Sequence, residues 1–169
     1  MSTCPVSSGT DSSRITGGNP TIIGFSVPAS SPVIGVSTNT IQFYLKNDTA
    51  LTGTISCKYY ASSSDVGTSS FTSLGTLDAS TLTGTYTLYT FTGATVTLAE
   101  GNHIGIEYTA STNNLWMEVL NSTNANSVFF QYGGGSVTPV SDRTPNWCYA
   151  GSAPSSSVLL PPEPAMVRL

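Results

Sequence analysis

Charge is what this chain lacks most. Charged residues make up 8% of it, where an ordinary globular protein carries about a quarter. The basic residues Arg14, Lys46, Lys58, Arg143 and Arg168 are scattered, so no basic stripe exists for a nucleic-acid backbone or an anionic membrane surface. Nothing approaches the ~20 consecutive apolar residues of a membrane span. There is one histidine, His103, and there is no Cys-x-x-Cys pair and no Gly-x-Ser-x-Gly frame, which removes the familiar zinc and serine-hydrolase signatures. Helical periodicity is missing too. No window places apolar residues at i, i+3, i+4 and i+7 without a Gly, a Pro or a β-branched run breaking it, and the single helical turn expected lies near Asp78-Ala79-Ser80. With a net charge of −4, copies repel one another weakly and self-association costs little.

Hydroxyl groups stand where the charge would be. Serine and threonine account for 51 of 169 residues. Six Phe, eight Tyr and two Trp, with many β-branched residues, are too much apolar material for a disordered chain, and the length suits one domain with a real core. The run TLTGTYTLYTFTGATVTLAEGNHIGIEY over 81–108 shows the arrangement best. Threonine alternates with Leu, Tyr, Phe and Val, a turn follows at Glu100-Gly101-Asn102, and Ile104, Ile106 and Tyr108 alternate again. Strand side chains point to opposite faces with period two, so one face enters a core and the other presents hydroxyls to water. Over 86–91, Tyr86 and Leu88 fall on one face and Tyr89 and Phe91 on the other, which implies a bulge or burial on both sides.

Strand-like segments recur at 21–27, 33–36, 40–45, 52–60, 71–77, 85–91, 94–98, 103–108, 115–120, 127–132 and 146–150, separated by turns rich in Gly, Pro, Asn and Ser. Short amphipathic strands in this number are buried most simply in two packed antiparallel sheets. The fold expected is all-β, a two-sheet jelly-roll β-sandwich over 20–151, flanked by extended arms at 1–19 and 152–169. Ile41, Phe43 and Leu45, with Ile55, Cys57 and Tyr59 and with Ile104, Ile106 and Tyr108, should share its core.

Five pieces occur in order: FYLK before a turn and TGT, then LGTLDASTL, YTLYTFTG, VTLAEGNHIGIEY and a closing WCYAGS. In that order they resemble a broad class of extracellular jelly-roll modules found in microbial surface proteins, phage and virus appendages and carbohydrate-binding-like accessory domains. The resemblance covers about residues 20–151. It implies a fold and, for that class, an adhesive, sugar-contacting or building-block role. The matching pieces are structural and bring no catalytic, sugar-binding or metal-binding residue with them.

Candidate chemistry is sparse. His103 follows a tight turn and alternates outward from Ile104 and Ile106, as an exposed polar strand residue would. Glu107 and Glu118 would face each other if their strands formed a hairpin through Asn113-Asn114, but two acids with no base beside them read as surface groups rather than a glycosidase pair. The expectation is a protein that is not an enzyme and has no cofactor. A structural calcium would have to draw on Asp65, Asp78, Glu100, Asn102 and Asp142 in turns, without a DxDxDG loop. Trp116, Tyr132, Trp147 and Tyr149 are the aromatics that could stack on sugars or anchor an interface. Cys57 and Cys148 lie in strand-like segments and could be bridged outside the cell, leaving Cys4 single; three unlinked thiols is the other reading. Asn47 and Asn121 head glycosylation acceptor triplets at turns.

After Gly151 the chain becomes a Ser/Pro linker and then two apolar clusters, Val158-Leu159-Leu160 and Met166-Val167-Leu169, around Pro161, Pro162 and Pro164, which hold the backbone extended. A large apolar side chain gains roughly 1.5–3 kcal/mol on burial, so this end should dock, either on its own sandwich or on a neighbour's. Docking on a neighbour adds a strand or fills a groove, and a head-to-tail contact that does not close gives a filament. The function expected is a non-enzymatic structural subunit of an extracellular fibre or virion-surface assembly, with itself as partner and Val158, Leu159, Leu160, Met166, Val167 and Leu169 as the contact. The alternative is a carbohydrate-binding module or adhesin domain with glycans as partners. The start, MSTCPVSSGTDSSR, has neither a basic n-region nor an apolar h-region, which fits a mature chain or a virus-encoded one.

Overall fold

Alternation at period two is realised along most of the chain. The computed structural model describes residues 6–7, 12–15, 21–109, 113–121 and 127–152. Its strands are β1 (Ser12–Ile15), β2 (Ile22–Ser26), β3 (Ser37–Asn47), β4 (Thr54–Tyr60), β5 (Thr72–Asp78), β6 (Thr87–Thr97), β7 (His103–Tyr108), β8 (Leu115–Leu120), β9 (Val128–Gly133), β10 (Ser136–Val140), β11 (Thr144–Pro145) and β12 (Trp147–Ser152). Helix is confined, among the described residues, to 3-10 turns at Ser63–Asp65 and Ala79–Thr81. The second is the turn expected from the sequence, and Asp78 caps it by accepting from the Ser80 N–H at 2.9 Å.

The strands form two antiparallel sheets packed face to face. In the first, β3 is central, with β6 along one side and β8 and β12 end to end along the other, while β1 and β11 pair β8. The second has the order β10-β9-β2-β7-β4-β5. Between the sheets lies the main core. It holds all the inward residues expected from β3, β4 and β7, with Tyr59 partly buried at its margin. Trp147 stacks on Phe25 at 3.8 Å between centroids, Phe25 tilts against Phe43, and Phe43 meets Phe91 edge-on. Along one seam the sheets nearly touch. A Cβ on Gly75 would come within 2.7 Å of the Thr92 carbonyl, and one on Gly93 within 2.5 Å of the Ser73 carbonyl, so bare backbone is needed for β5 to lie against β6.

Some local expectations differ from the outcome. Residues 33–36 form turns instead of a strand; Val33 and Val36 are buried there all the same. The segments at 85–91 and 94–98 are one strand, β6, regular against β3 from Thr87 to Thr92, and the register shift lies opposite Thr38–Thr40. Thr38 serves that bulge, donating to the Ala150 carbonyl at 2.7 Å and accepting from the Thr40 N–H at 3.1 Å. The region read as an N-terminal arm supplies β1, which buries Ile15. Residues 153–169, including Val158, Leu159, Leu160, Met166, Val167 and Leu169, lie outside the described residues, as does Cys4.

The expected Cys57–Cys148 bridge is absent. Cys57 is a free thiol buried between the sheets, where burial pushes its pKa up. Cys148 is disulfide-bonded and lies on the outer face of the first sheet, its sulfur 3.2 Å from Gln42 Oε1. One points into the core from the second sheet and the other away from it, so the two cannot be joined.

Candidate functional site

The sequence places outward residues on two surfaces, one per sheet, and they are finished differently. On the first sheet the outward residues of β3 and β6 are mostly hydroxyls and amides. Gln42 Nε2 donates to Thr90 Oγ1 at 2.8 Å, and the Thr40 and Thr92 hydroxyls lie 3.3 Å apart. Further along the same face Arg14, Trp116 and Lys46 are register partners across β1, β8 and β3. The guanidinium and the ammonium stand 5.7 and 5.9 Å from the Trp116 ring centre, and Lys46 also lies 4.5 Å from the ring centre of Tyr86. Among the described residues neither cation forms an ion pair. Asp48 is held below the usual carboxylate range chiefly by the Asn114 amide, which donates to it at 2.7 Å.

Glu118 also faces this side, yet it is fully buried. Ser7 donates to one carboxylate oxygen at 2.9 Å and Asn146 to the other at 2.7 Å. A carboxylate out of reach of water needs such donors. The hairpin that would bring Glu107 opposite Glu118 does not form, because β7 and β8 belong to different sheets. Glu107 instead forms an ion pair with Lys58 on the outer face of the second sheet.

That second outer face carries its own apolar layer. Ile22, Tyr60, Val66 and Phe130 are buried together, with Tyr132 and Val137 against them. The segment between β4 and β5 crosses the sheet as a roof. Val66 enters the layer from it, and Gly67, at φ +78°, lies where a Cβ would sit 2.2 Å from the Tyr132 ring. Gly24 and Gly105 pair beneath, on adjacent strands. A Cβ on Gly105 would meet Ile22 at 2.5 Å and Phe130 at 3.4 Å, so the glycine is what lets those two side chains lie over the middle of the sheet.

Between the roof and the β9–β10 hairpin is a cleft of about 400 Å³ lined by Ser26, Ser63, Ser64, His103, Phe130, Val137 and Pro139. His103 is 7% exposed, which overturns its expected place as an exposed strand residue. The outward direction was read correctly; the roof and Phe130 cover it. The imidazole meets Phe130 edge-on at 5.0 Å, and burial pushes its pKa below the usual value. Its Nδ1 lies 2.9 Å from the Gly101 carbonyl. A carbonyl only accepts, so Nδ1 carries the proton and Nε2 presents a lone pair. Among the described residues no serine is hydrogen-bonded to that nitrogen, so no activated nucleophile is assembled here.

The remaining candidates are dispersed. Trp147 is a core residue whose indole N–H donates to Ser127 Oγ at 3.0 Å, and Tyr149 packs beside it; neither is a surface platform. Tyr132 is half-buried under the roof, and Trp116 stands between two cations. Among the described residues no three His, Cys, Asp or Glu side chains gather as a metal site. Asn102 Oδ1, one of the calcium candidates, already accepts from the Ala99 N–H at 2.6 Å and the Tyr59 hydroxyl at 2.9 Å. Asn121 is exposed, whereas Asn47 is half-buried and its side-chain nitrogen donates to the Leu82 carbonyl at 3.1 Å. No described helix is long and apolar enough to cross a membrane. No family model matches the chain, and neither a curated protein nor a solved structure matches it.

Proposed function

We propose that this protein is a structural subunit of an extracellular or virion-surface assembly, joined to its neighbours through its terminal segments. The observation that supports this most is the position of β12. Among the described residues it pairs only with β3 and its other side is a sheet edge, and in sequence it leads through a Ser/Pro linker to the apolar C-terminal segment. An open edge is a template for an added strand, and a proline-punctuated sequence with six large apolar residues is the kind that would be added. The hydroxyl-covered face of β3 and β6 suits a wall that must stay solvated without charge.

Light scattering and electron microscopy of the full chain, beside a chain ended after Ser152, test this reading. The full chain should form multimers or filaments, and the shortened one should be a folded monomer. A full chain that stays monomeric at every concentration, or a shortened chain that still assembles, overturns it.

A further inference from the structure

The cleft on the second sheet is not explained by assembly, and its chemistry is specific. Its walls divide by type. Phe130, Val137 and Pro139 form an apolar side, and Ser26, Ser63 and Ser64 supply hydroxyls. Among the described residues no charged side chain lines it. His103, more than nine-tenths buried, lines the cleft, and the Gly101 carbonyl fixes its ring through Nδ1, which leaves Nε2 as the acceptor. An acceptor in the wall of a partly apolar recess favours an occupant that can donate a hydrogen bond to it. At about 400 Å³ the cleft falls in the smaller range of ligand sites. An occupant that fits must be uncharged and compact, with one apolar face and several hydroxyls around its rim.

We propose that this cleft binds a single neutral pyranose unit, its apolar face against Phe130, Val137 and Pro139 and one of its hydroxyls donating to His103 Nε2. Ser26, Ser63 and Ser64 then exchange hydrogen bonds with the remaining hydroxyls. The site is preorganised. Val66 and Gly67 lock the roof onto the sheet, and the Gly24–Gly105 pair gives Phe130 and Ile22 room below. The proposal does not depend on the assembly reading, since the cleft and the β12 edge belong to different sheets.

The test is saturation-transfer NMR on the full chain with the methyl glycosides of glucose, galactose, mannose and N-acetylglucosamine. At least one should receive saturation from the protein. His103→Leu keeps an apolar body and removes the acceptor, and should weaken binding about tenfold. Ser64→Trp, at an exposed position of the roof, should block the mouth and abolish the signal, and it keeps the test decisive if the histidine variant folds poorly. No transfer to any of the four glycosides overturns the proposal, as does transfer that neither substitution changes. A signal lost in Trp116→Ala but kept in His103→Leu also overturns it, because the sugar would then lie on the first sheet.

Discussion

The outer faces of the two sheets obey the same alternation and end as different surfaces. On the first sheet the outward positions of β3 and β6 include Thr40, Gln42, Thr90 and Thr92, whose side chains pair with one another and are half-buried or exposed. On the second sheet the outward positions of β2, β4 and β9 carry Ile22, Tyr60 and Phe130, and a crossing segment buries them. A bare hydroxyl face offers water as good a partner as any ligand. A covered face can leave a dry recess between its two layers, and only there does a lone acceptor such as His103 Nε2 become selective. On the proposals made above, recognition would fall to the second sheet and contact with neighbours to the first.

If the layer outside the second sheet is an accessory, it should matter less to folding than the core between the sheets. Phe25→Ala, at the contact with Trp147 and Phe43, should cost about 3–5 kcal/mol. Phe130→Ala should cost less, because its neighbours border an open cleft and can settle into the space. Urea unfolding of both variants measures the difference, and equal costs would mean that the outer layer is as much a core as the inner one. A smaller effect separates the buried Glu118 side chain of the first sheet from its hydroxyl surroundings. Asn146→Ala removes a charge-assisted donor from Glu118 and should cost about 1.5–3 kcal/mol. A loss within 0.5 kcal/mol, of the order seen for exposed positions, would show that Glu118 does not depend on this donor.

The sheets themselves were legible in the sequence because burial writes a period of two. Ile41, Phe43, Leu45, Ile104 and Ile106 face the core as the alternation requires, and Gly101, at φ +78°, turns the chain where Glu100-Gly101-Asn102 marked it. What was not legible depends on pairing between distant residues. Parity says that Trp116 and Trp147 each oppose their neighbours, but not which face is inside, and the answer for Trp147 comes from Phe25, more than a hundred residues away. His103 was read as exposed because outward normally means wet. The roof that buries it is a loop of serines with one inserted valine, and Val66 gives no periodic signal. Its one clue is Gly67, a residue needed because Tyr132 occupies the space of its side chain. Cys57 and Cys148 share strand-like surroundings, and only the sheet assignment separates an inward thiol from an outward half-cystine.

The smallest effect expected, and the one that bears most directly on the covered face, is a pH dependence. Burial lowers the His103 pKa from its ordinary 6.5, so between the folded and unfolded values the unfolded chain binds more protons than the native one. Stability from this group is complete above about pH 6.5, falls as the pH drops below it, and levels off once the folded imidazole is itself protonated. Asp48 and Asp78 act in a separate window. Both are held below 3.8, Asp48 chiefly by the Asn114 amide and Asp78 by the Ser80 N–H, so their contributions are present above that value and are lost only as the pH falls through the lower folded one. The thermal midpoint should therefore drop as the pH falls below about 6.5 in the wild type and drop less in His103→Leu, with the two curves becoming parallel once the folded imidazole is protonated. Parallel curves throughout would mean that solvent reaches the imidazole freely, and the covered face would then be no drier than the open one.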